Sequence, residues 1–166
     1  MRRFILTLAV CAVLLTALFG CAPEKPQEET GWQPSATVPQ VKESLLTAQE
    51  VSEAVGTAVG EGVLQEGGTV LCFTSADYRT TVSLLTEQPQ AGAKEYLQAI
   101  VAQYPEGALQ QAPNLGEEAY WSAETGELLV RNGVFVVSVN VTAQDLDAEA
   151  ALIAARQLAA LVLERL

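Results

Sequence analysis

The sequence predicts an α+β domain in which an antiparallel β-sheet packs between helices. The clearest observation is the segment 127–142, ELLVRNGVFVVSVNVT, in which apolar side chains lie on both sides of Asn132-Gly133. Asn-Gly is a preferred pair for a two-residue type I′ turn, so the segment is typical of a β-hairpin. Two further runs with strand-like composition, 69–75 and 79–87, and three segments with helical apolar spacing complete the pattern.

The hairpin is expected to be the centre of the fold. A two-residue loop at Asn132-Gly133 sets a definite register between its strands. The predicted cross-strand pairs include Val130–Phe135 and Leu128–Val137. Because successive residues of a strand point to opposite faces, these four side chains are predicted to share one buried face.

The first helix is predicted to begin after Thr47. Thr47 and Glu50 have the spacing of a capping box, in which each residue satisfies a backbone N–H of the other. Gly56 is expected to end this helix, or Gly60 one turn later.

The runs 69–75 (TVLCFTS) and 79–87 (RTTVSLLTE) are predicted to pair as antiparallel strands with a turn at 75–78. Cys72 lies in the middle of the first strand, where a buried small hydrophobe is expected. Since the chain has no histidine to activate a thiol, a catalytic role for Cys72 is disfavoured.

The second helix is predicted at 93–104, where an apolar stripe recurs at helical spacing. A short strand is expected at 109–112, and 113–121 is expected to be a loop that enters a strand. The last helix is predicted at about 146–165, capped by Asp145 or Thr142. Its predicted buried stripe is Leu152, Ala155, Ala159, Val162 and Leu166.

The composition excludes several classes of function. The 166 residues include 20 acidic and 9 basic side chains, for a formal charge of −11, and such a surface repels nucleic acid. Solubility is the favoured interpretation of this acidity; a site for cations or a basic partner is the alternative. Without histidine, and with three cysteines at no metal-binding or disulfide spacing, the chain is predicted to hold no metal and no cofactor.

The N-terminus predicts a lipid tether. Met1-Arg2-Arg3 precedes an uncharged apolar run over 4–19, a layout typical of a secretory signal peptide over 1–20. Leu18-Phe19-Gly20-Cys21 resembles the lipobox of bacterial lipoproteins, although Phe19 is bulkier than the residue usual there. This resemblance implies cleavage after Gly20, diacylglyceryl attachment to Cys21, and acylation of the new amine with a fatty acid such as palmitate. An uncleaved N-terminal anchor is the alternative.

Residues 21–44 are predicted to be a disordered tether that begins at the lipidated Cys21. This stretch holds four of the seven prolines together with Glu, Gln, Ser and Thr, a composition that buries little apolar surface. The remaining residues, 45–166, are predicted to form one domain. The protein is therefore expected at a cell membrane, lipid-anchored on the extracytoplasmic face.

The domain also resembles a known group of lipoproteins. The segments that carry the resemblance are LLTAQEVSEAVG, VLCF, LGEEAYW, LLVRNGVFVVSVNV and a long alanine-rich terminal helix. Together they are similar to the LpqN-like lipoproteins. The resemblance implies a PsbP-like sandwich and a binding or assembly role rather than catalysis, and it supplies no catalytic residues.

Few residues are candidates for a site. Glu117 and Glu118 stand beside aromatics as in carbohydrate-active sites, but adjacent strand residues point to opposite faces, so a solvated loop edge is favoured. If a ligand platform exists, Tyr78 and the exposed member of the pair Tyr120 and Trp121 are the candidates.

The sequence thus favours a non-catalytic binding or accessory module of the cell envelope, with an envelope protein or a small molecule as its partner. The alternative hypothesis is an enzyme that acts on envelope glycans or lipids through carboxylates.

Overall fold

The computed structural model describes residues 36–37 and 45–166. Its helices are α1, Ala48–Val55; α2, Ala93–Val101; and α3, Ala148–Leu163. Its strands are β1, Ala36–Thr37; β2, Val63–Gln65; β3, Val70–Thr74; β4, Thr80–Pro89; β5, Gln110–Gln111; β6, Glu118–Ser122; β7, Glu127–Asn132; and β8, Phe135–Ala143. The predicted α+β class is confirmed.

The sheet is antiparallel, with the strand order β2-β3-β4-β8-β7-β6-β5. Its centre is the pairing of β4 with β8, which runs from Thr80↔Ala143 to Glu87↔Val136 and joins the two halves of the sequence. β1 pairs with the end of β4, at Gln88 and Pro89. The structure therefore places one short strand inside the predicted tether, whose other residues lie outside the described part of the chain.

One face of the sheet is covered by α1 and α3, and we call it the helix-pair face. It contributes alternate strand residues such as Leu71, Leu84, Leu128 and Val139 to a single large apolar cluster. Buried alanines of α3, including Ala155, allow the helix to approach the sheet closely. This cluster is the main core of the domain.

The opposite face is covered in part by α2, and we call it the α2 face. Its apolar cluster contains four buried residues: Ala93, Leu97, Leu129 and Val136. Two tyrosines add polar attachments, because Tyr96 donates to Glu87 at 2.6 Å and Tyr104 donates to Glu127. α2 is therefore held by a small core together with tyrosine–carboxylate hydrogen bonds.

The start of α1 is as predicted. Thr47 caps the helix, the Thr47–Glu50 capping box is complete, and Gly56 ends the helix with a φ of 70°. Glu50 also binds the guanidinium of Arg165, which in turn donates to the carbonyl of Leu45 at 2.6 Å. The cap thus links α1 to the end of α3.

The predicted hairpin exists, but its predicted register is wrong. Asn132 pairs with Phe135 and Val130 pairs with Val137, so the two-residue loop is Gly133-Val134. Gly133, the first loop residue, has a φ of 58°, whereas Val134, the second, does not have a positive φ. Positive φ at the first loop residue alone indicates a type II′ turn and not a type I′ turn.

The physical reason for this shift lies outside the hairpin. The N–H of Gly133 donates to Glu117 at 3.0 Å, a contact that no local rule contains. Because the shift is two residues, the faces are unchanged: Leu128, Val130 and Val137 are buried on the helix-pair face as predicted, whereas Phe135 is half-buried.

Other predicted boundaries need smaller corrections. The cap of α3 is Asp147, whose Oδ1 accepts from the N–H of Ala150 at 2.8 Å, and not Asp145 or Thr142. Leu166 is 41% exposed and does not belong to the buried stripe of α3, and Leu152 is half-buried. β2 was not predicted, because three residues with alternating exposure carry little pattern.

Among the residues that the structure describes, no helix combines the length and the apolar content that crossing a bilayer requires.

Candidate functional site

Tyr120 and Trp121 lie on opposite faces of β6. Trp121 is 2% exposed within the main core, so it is the member of the pair that points inward and it is not available to a ligand. Tyr120 is half-buried against the α2 cluster, and its hydroxyl donates to Glu118 at 2.7 Å. Cys21, the predicted lipidation site, lies outside the described residues.

Glu117 and Glu118 converge on one cation. Both carboxylates bind the guanidinium of Arg131, and Glu118 does so at 3.3 Å. Convergence is possible because Glu117 precedes β6 and is not bound by strand alternation, which the sequence argument had assumed. Bonds from Gly133 and Arg131 hold the pKa of Glu117 below its usual value. The pair is thus a structural contact at the tip of the β7–β8 hairpin, in which one guanidinium offsets one of the two carboxylate charges.

Cys72 is half-buried on the α2 face rather than fully buried, with its sulfur 3.9 Å from Oγ1 of Thr74. It lies outside the apolar cluster that α2 forms with this face, and the main contacts of α2 are with β4, β7 and β8. No group of three acidic or cysteine side chains in the described residues is arranged to hold a metal ion.

The loop between β3 and β4 displays Tyr78 to solvent. Tyr78 is 83% exposed, and its φ is 59°. This left-handed conformation costs a residue with a Cβ about 1–2 kcal/mol. Asn114 also has positive φ, but asparagine tolerates this region well. Tyr78 therefore occupies a strained position in which glycine or asparagine would be the cheaper residue.

Hydrogen bonds hold this loop in one conformation. Ser75, which is buried, donates its hydroxyl to Asp77 at 2.6 Å, and the N–H of Arg79 donates to the same carboxylate at 3.1 Å. Both bonds lower the pKa of Asp77, and the bond from the Ser75 hydroxyl has the larger effect. The N–H of Tyr78 donates to the carbonyl of Ser75 at 3.0 Å.

The loop is also tied to the connection between β8 and α3. The Arg79 guanidinium donates to Gln144 at 3.0 Å and to Asp145 at 2.9 Å. The ion-pair partner of Arg79 is thus Asp145, which is distant in sequence, and not the neighbouring Asp77. These contacts over-determine the backbone around Tyr78, which is the condition under which strain persists at functional positions.

Beside the loop lies an uncovered part of the α2 face, which we call the polar patch. Its side chains form two cross-strand rows, Thr74–Thr81–Thr142 and Cys72–Ser83–Asn140. Thr142 is exposed and the other five residues are half-buried. Neighbours in such an array are about 4.8 Å apart across strands and about 6.7 Å apart along a strand. The patch is therefore a stretch of the sheet without charged side chains, next to the loop that carries Tyr78.

Tyr78 and Tyr120 do not form one platform. They are separated by β8 and β7, and this is about 14 Å at the usual strand spacing. The structure thus retains Tyr78 as a ligand candidate and leaves Tyr120 bound to Glu118.

A separate cleft lies between the start of α2 and the tip of the β7–β8 hairpin. Its volume is about 760 Å³. It is lined by Gln88, Pro89, Gln90, Gly92, Ala93, Lys94, Glu95, Arg131, Gly133 and Val134. Glu95 is the one carboxylate in this lining, so the cleft does not bring two acids together as a glycosidase requires.

The shifted ionisable groups of the domain are moved away from neutral pH. Hydrogen bonds, chiefly from Arg165, hold the pKa of Glu50 at about 2. Burial, and then the bond to Glu127, raises the pKa of Tyr104 to about 12, and burial also raises the pKa of Tyr96. Each shift stabilises the charge state that the group already has at neutral pH.

Comparison with protein-family models, with curated proteins and with solved structures gives no match for this chain. The similarity to LpqN-like lipoproteins therefore stays a prediction from the sequence.

Sequence reasoning identified Tyr78 as a candidate but missed what surrounds it. The polar patch depends on the register between β4 and β8, whose paired residues are separated by about a third of the chain. One local signal was available: Ser75 and Thr80 close a four-residue loop, and Tyr78 stands at the position where such loops usually turn left-handed.

Proposed function

We propose that the protein is an extracytoplasmic lipoprotein, anchored through acyl chains on Cys21, whose domain is a non-catalytic binding module. The proposed tether is supported by the basic n-region, the apolar run and the Leu-Phe-Gly-Cys sequence before a proline-rich linker. The proposed binding role is supported chiefly by Tyr78, an exposed aromatic side chain held in a strained backbone conformation.

Strain at an exposed residue favours recognition over folding as its reason. Tyr78 buries little surface, so it contributes little to stability, and its backbone conformation costs stability. Exposed tyrosines supply a large and rigid contact area, which makes them frequent anchors of binding surfaces. We therefore assign the recognition surface of the module to Tyr78 and its surroundings.

The environment of the acidic residues disfavours the enzyme alternative. A catalytic acid or base needs a pKa near the working pH, whereas the pKa of Glu50, Asp77 and Glu117 is lowered. Glu117 and Glu118 are both bound to Arg131, which leaves neither free to flank a glycosidic bond.

The tether is tested by Cys21→Ser. This change removes the thiol that receives the diacylglyceryl group, so we expect unprocessed precursor and no incorporation of a labelled fatty acid. Labelling that persists in the Cys21→Ser protein would contradict the proposed anchor.

The binding surface is tested by photo-crosslinking in intact membranes. A benzophenone amino acid replaces Ala76, an exposed residue of the same loop. Two proteins with this probe are compared, one that keeps Tyr78 and one that also carries Tyr78→Asn. We expect a discrete adduct that is lost in the Tyr78→Asn protein. The matched control places the probe at Ile153, which is 52% exposed on α3, where Tyr78→Asn should change nothing. An adduct at position 76 that survives Tyr78→Asn would contradict the assignment.

The same substitution has a second expected effect. Asparagine tolerates positive φ, so Tyr78→Asn should raise the free energy of unfolding by about 1 kcal/mol. Urea unfolding measures this change. A clear loss of stability would mean that Tyr78 serves the fold and not recognition.

A further inference from the structure

The polar patch has a chemistry that matches a particular class of ligand. Its hydroxyl-bearing residues are Thr74, Thr81, Ser83 and Thr142, and Asn140 adds an amide. Each hydroxyl can both donate and accept a hydrogen bond. The Asn140 amide donates to the carbonyl of Thr125 at 2.8 Å and accepts from the hydroxyl of Thr142 at 3.1 Å, so the hydroxyls of Thr74, Thr81 and Ser83 are the main groups offered to a ligand. The pairing of the strands sets these groups side by side on one face of the sheet.

The patch carries no ionised side chain. The nearest carboxylate in its rows is Glu127, which follows Asn140 on β7 and accepts from Tyr104 and from Ser138. At the rim, Arg79 pairs with Asp145, and Asp77 of the same loop adds a carboxylate that disfavours an anionic ligand. The ligand that complements this surface is therefore uncharged, and the net charge of −11 elsewhere on the chain disfavours an anionic one.

Two exposed apolar groups border the patch. Tyr78 lies in the loop that joins β3 to β4 just beyond the first row, and Val63 of β2, which pairs with Cys72 and is 59% exposed, extends the second row. A ligand that fits has an apolar face for the ring and many hydroxyl groups at its edges. Pyranose rings have both, because their axial C–H groups form an apolar face and their equatorial hydroxyls point outward.

We propose that the polar patch, with Tyr78 stacked on one sugar ring, binds a neutral oligosaccharide in an extended conformation. This inference rests on the proposed function, since it names the ligand of the surface assigned to Tyr78. At the sheet spacing the two rows span about 10 Å across the strands, which is the length of two sugar rings. The hydroxyls of Thr81 and Ser83 lie at the middle of their rows and make the central hydrogen bonds to the ligand.

The test titrates the intact lipidated protein, in a detergent without a sugar headgroup, with three probes. Chitotetraose and cellotetraose are neutral, and tetragalacturonate is anionic. We expect saturable binding of at least one neutral probe by NMR chemical-shift perturbation at the patch, and no saturation with tetragalacturonate. No saturable binding of either neutral probe, or preferential binding of tetragalacturonate, would overturn the proposal.

Two substitutions assign the binding to the patch. Thr81→Val keeps the shape and the strand propensity but removes the hydroxyl, and it should weaken binding about fivefold. Its matched control, Thr81→Ser, keeps the hydroxyl and should stay within about twofold. Tyr78→Asn should weaken binding at least about tenfold. Equal affinities for all three proteins would overturn the proposal.

The outcomes also separate this proposal from the proposed function. If neither neutral probe binds while the crosslink at position 76 still depends on Tyr78, the saccharide proposal fails and the binding module stands. If neither probe binds and the crosslink is independent of Tyr78, both fail.

Discussion

The two faces of the sheet are built differently. Among the residues that the structure describes, the helix-pair face buries 23 apolar residues in one cluster, whereas the α2 face buries four and relies on tyrosine–carboxylate bonds to hold its single short helix. The first arrangement is what makes the domain stable, because burial of apolar surface is the main driving force of folding. The second leaves a part of the sheet face outside the apolar cluster, where the side chains are half-buried or exposed.

The difference suggests a division of roles between the faces. A face that is saturated with apolar contacts has no free groups with which to bind a ligand. The α2 face keeps its polar patch uncovered and has the Tyr78 loop at its edge. The free energy that the backbone conformation of Tyr78 costs is offset by the stability that the helix-pair face provides.

The largest expected effect compares two neighbouring residues. Leu128 and Leu129 are 0% and 1% exposed but point to opposite faces. We expect Leu128→Ala to cost about 3–5 kcal/mol, since the large core cannot close around the cavity. Leu129→Ala should cost about 2–3 kcal/mol, at the lower end of the usual range, because the short helix α2 can settle into the space. Urea unfolding of both proteins measures the difference.

Equal losses from Leu128→Ala and Leu129→Ala would contradict the comparison. A larger loss from Leu129→Ala would reverse it, and the α2 face would then be the main source of stability.

The faces are also expected to fail at opposite ends of the pH scale. The folded pKa of Glu50, which joins α1 to α3, is about 2 against a usual 4.5. The stability that this residue contributes is therefore present above about pH 4.5 and is lost as the pH falls toward 2. The pKa of Tyr104 is raised from 10.0 to about 12, so its contribution is present below pH 10 and is lost as the pH rises toward 12.

Two variants separate these windows. Glu50→Gln should reduce the loss of stability between about pH 4.5 and pH 2 and leave the dependence on pH above 10 unchanged. Tyr104→Phe should reduce the loss of stability between pH 10 and about pH 12 and leave the acidic range unchanged. Thermal unfolding between pH 2 and pH 12 measures both ranges. Parallel profiles for the two variants would show that these residues do not act on separate faces.

The success of sequence reasoning followed the range of the interactions concerned. Thr47, Glu50 and Gly56 were placed correctly because capping depends on residues within one turn of a helix. The face assignment of Leu128, Val130 and Val137 was also correct, since alternation is local and survives a two-residue shift. These patterns are present in the chain before it folds.

The errors came from contacts between distant residues. Glu117, which precedes β6, binds the N–H of Gly133, and this contact accompanies a turn that the Asn-Gly preference did not predict. Trp121 enters the core because β6 joins the sheet with that side chain inward. The polar patch required the register of β4 against β8, which no single segment contains.

Native-state hydrogen exchange tests the contrast between the faces most directly. On this account the amides of α2, such as those of Leu97 and Ile100, exchange through a local opening whose free energy is below that of global unfolding. The amides in the centre of α3, such as that of Leu158, exchange only when the whole domain unfolds. Tyr104→Phe should lower the free energy of the local opening that exposes the amides of α2. The free energy of exchange of the α3 amides should remain equal to the free energy of global unfolding. Equal protection of α2 and α3, both at the global value, would contradict the account.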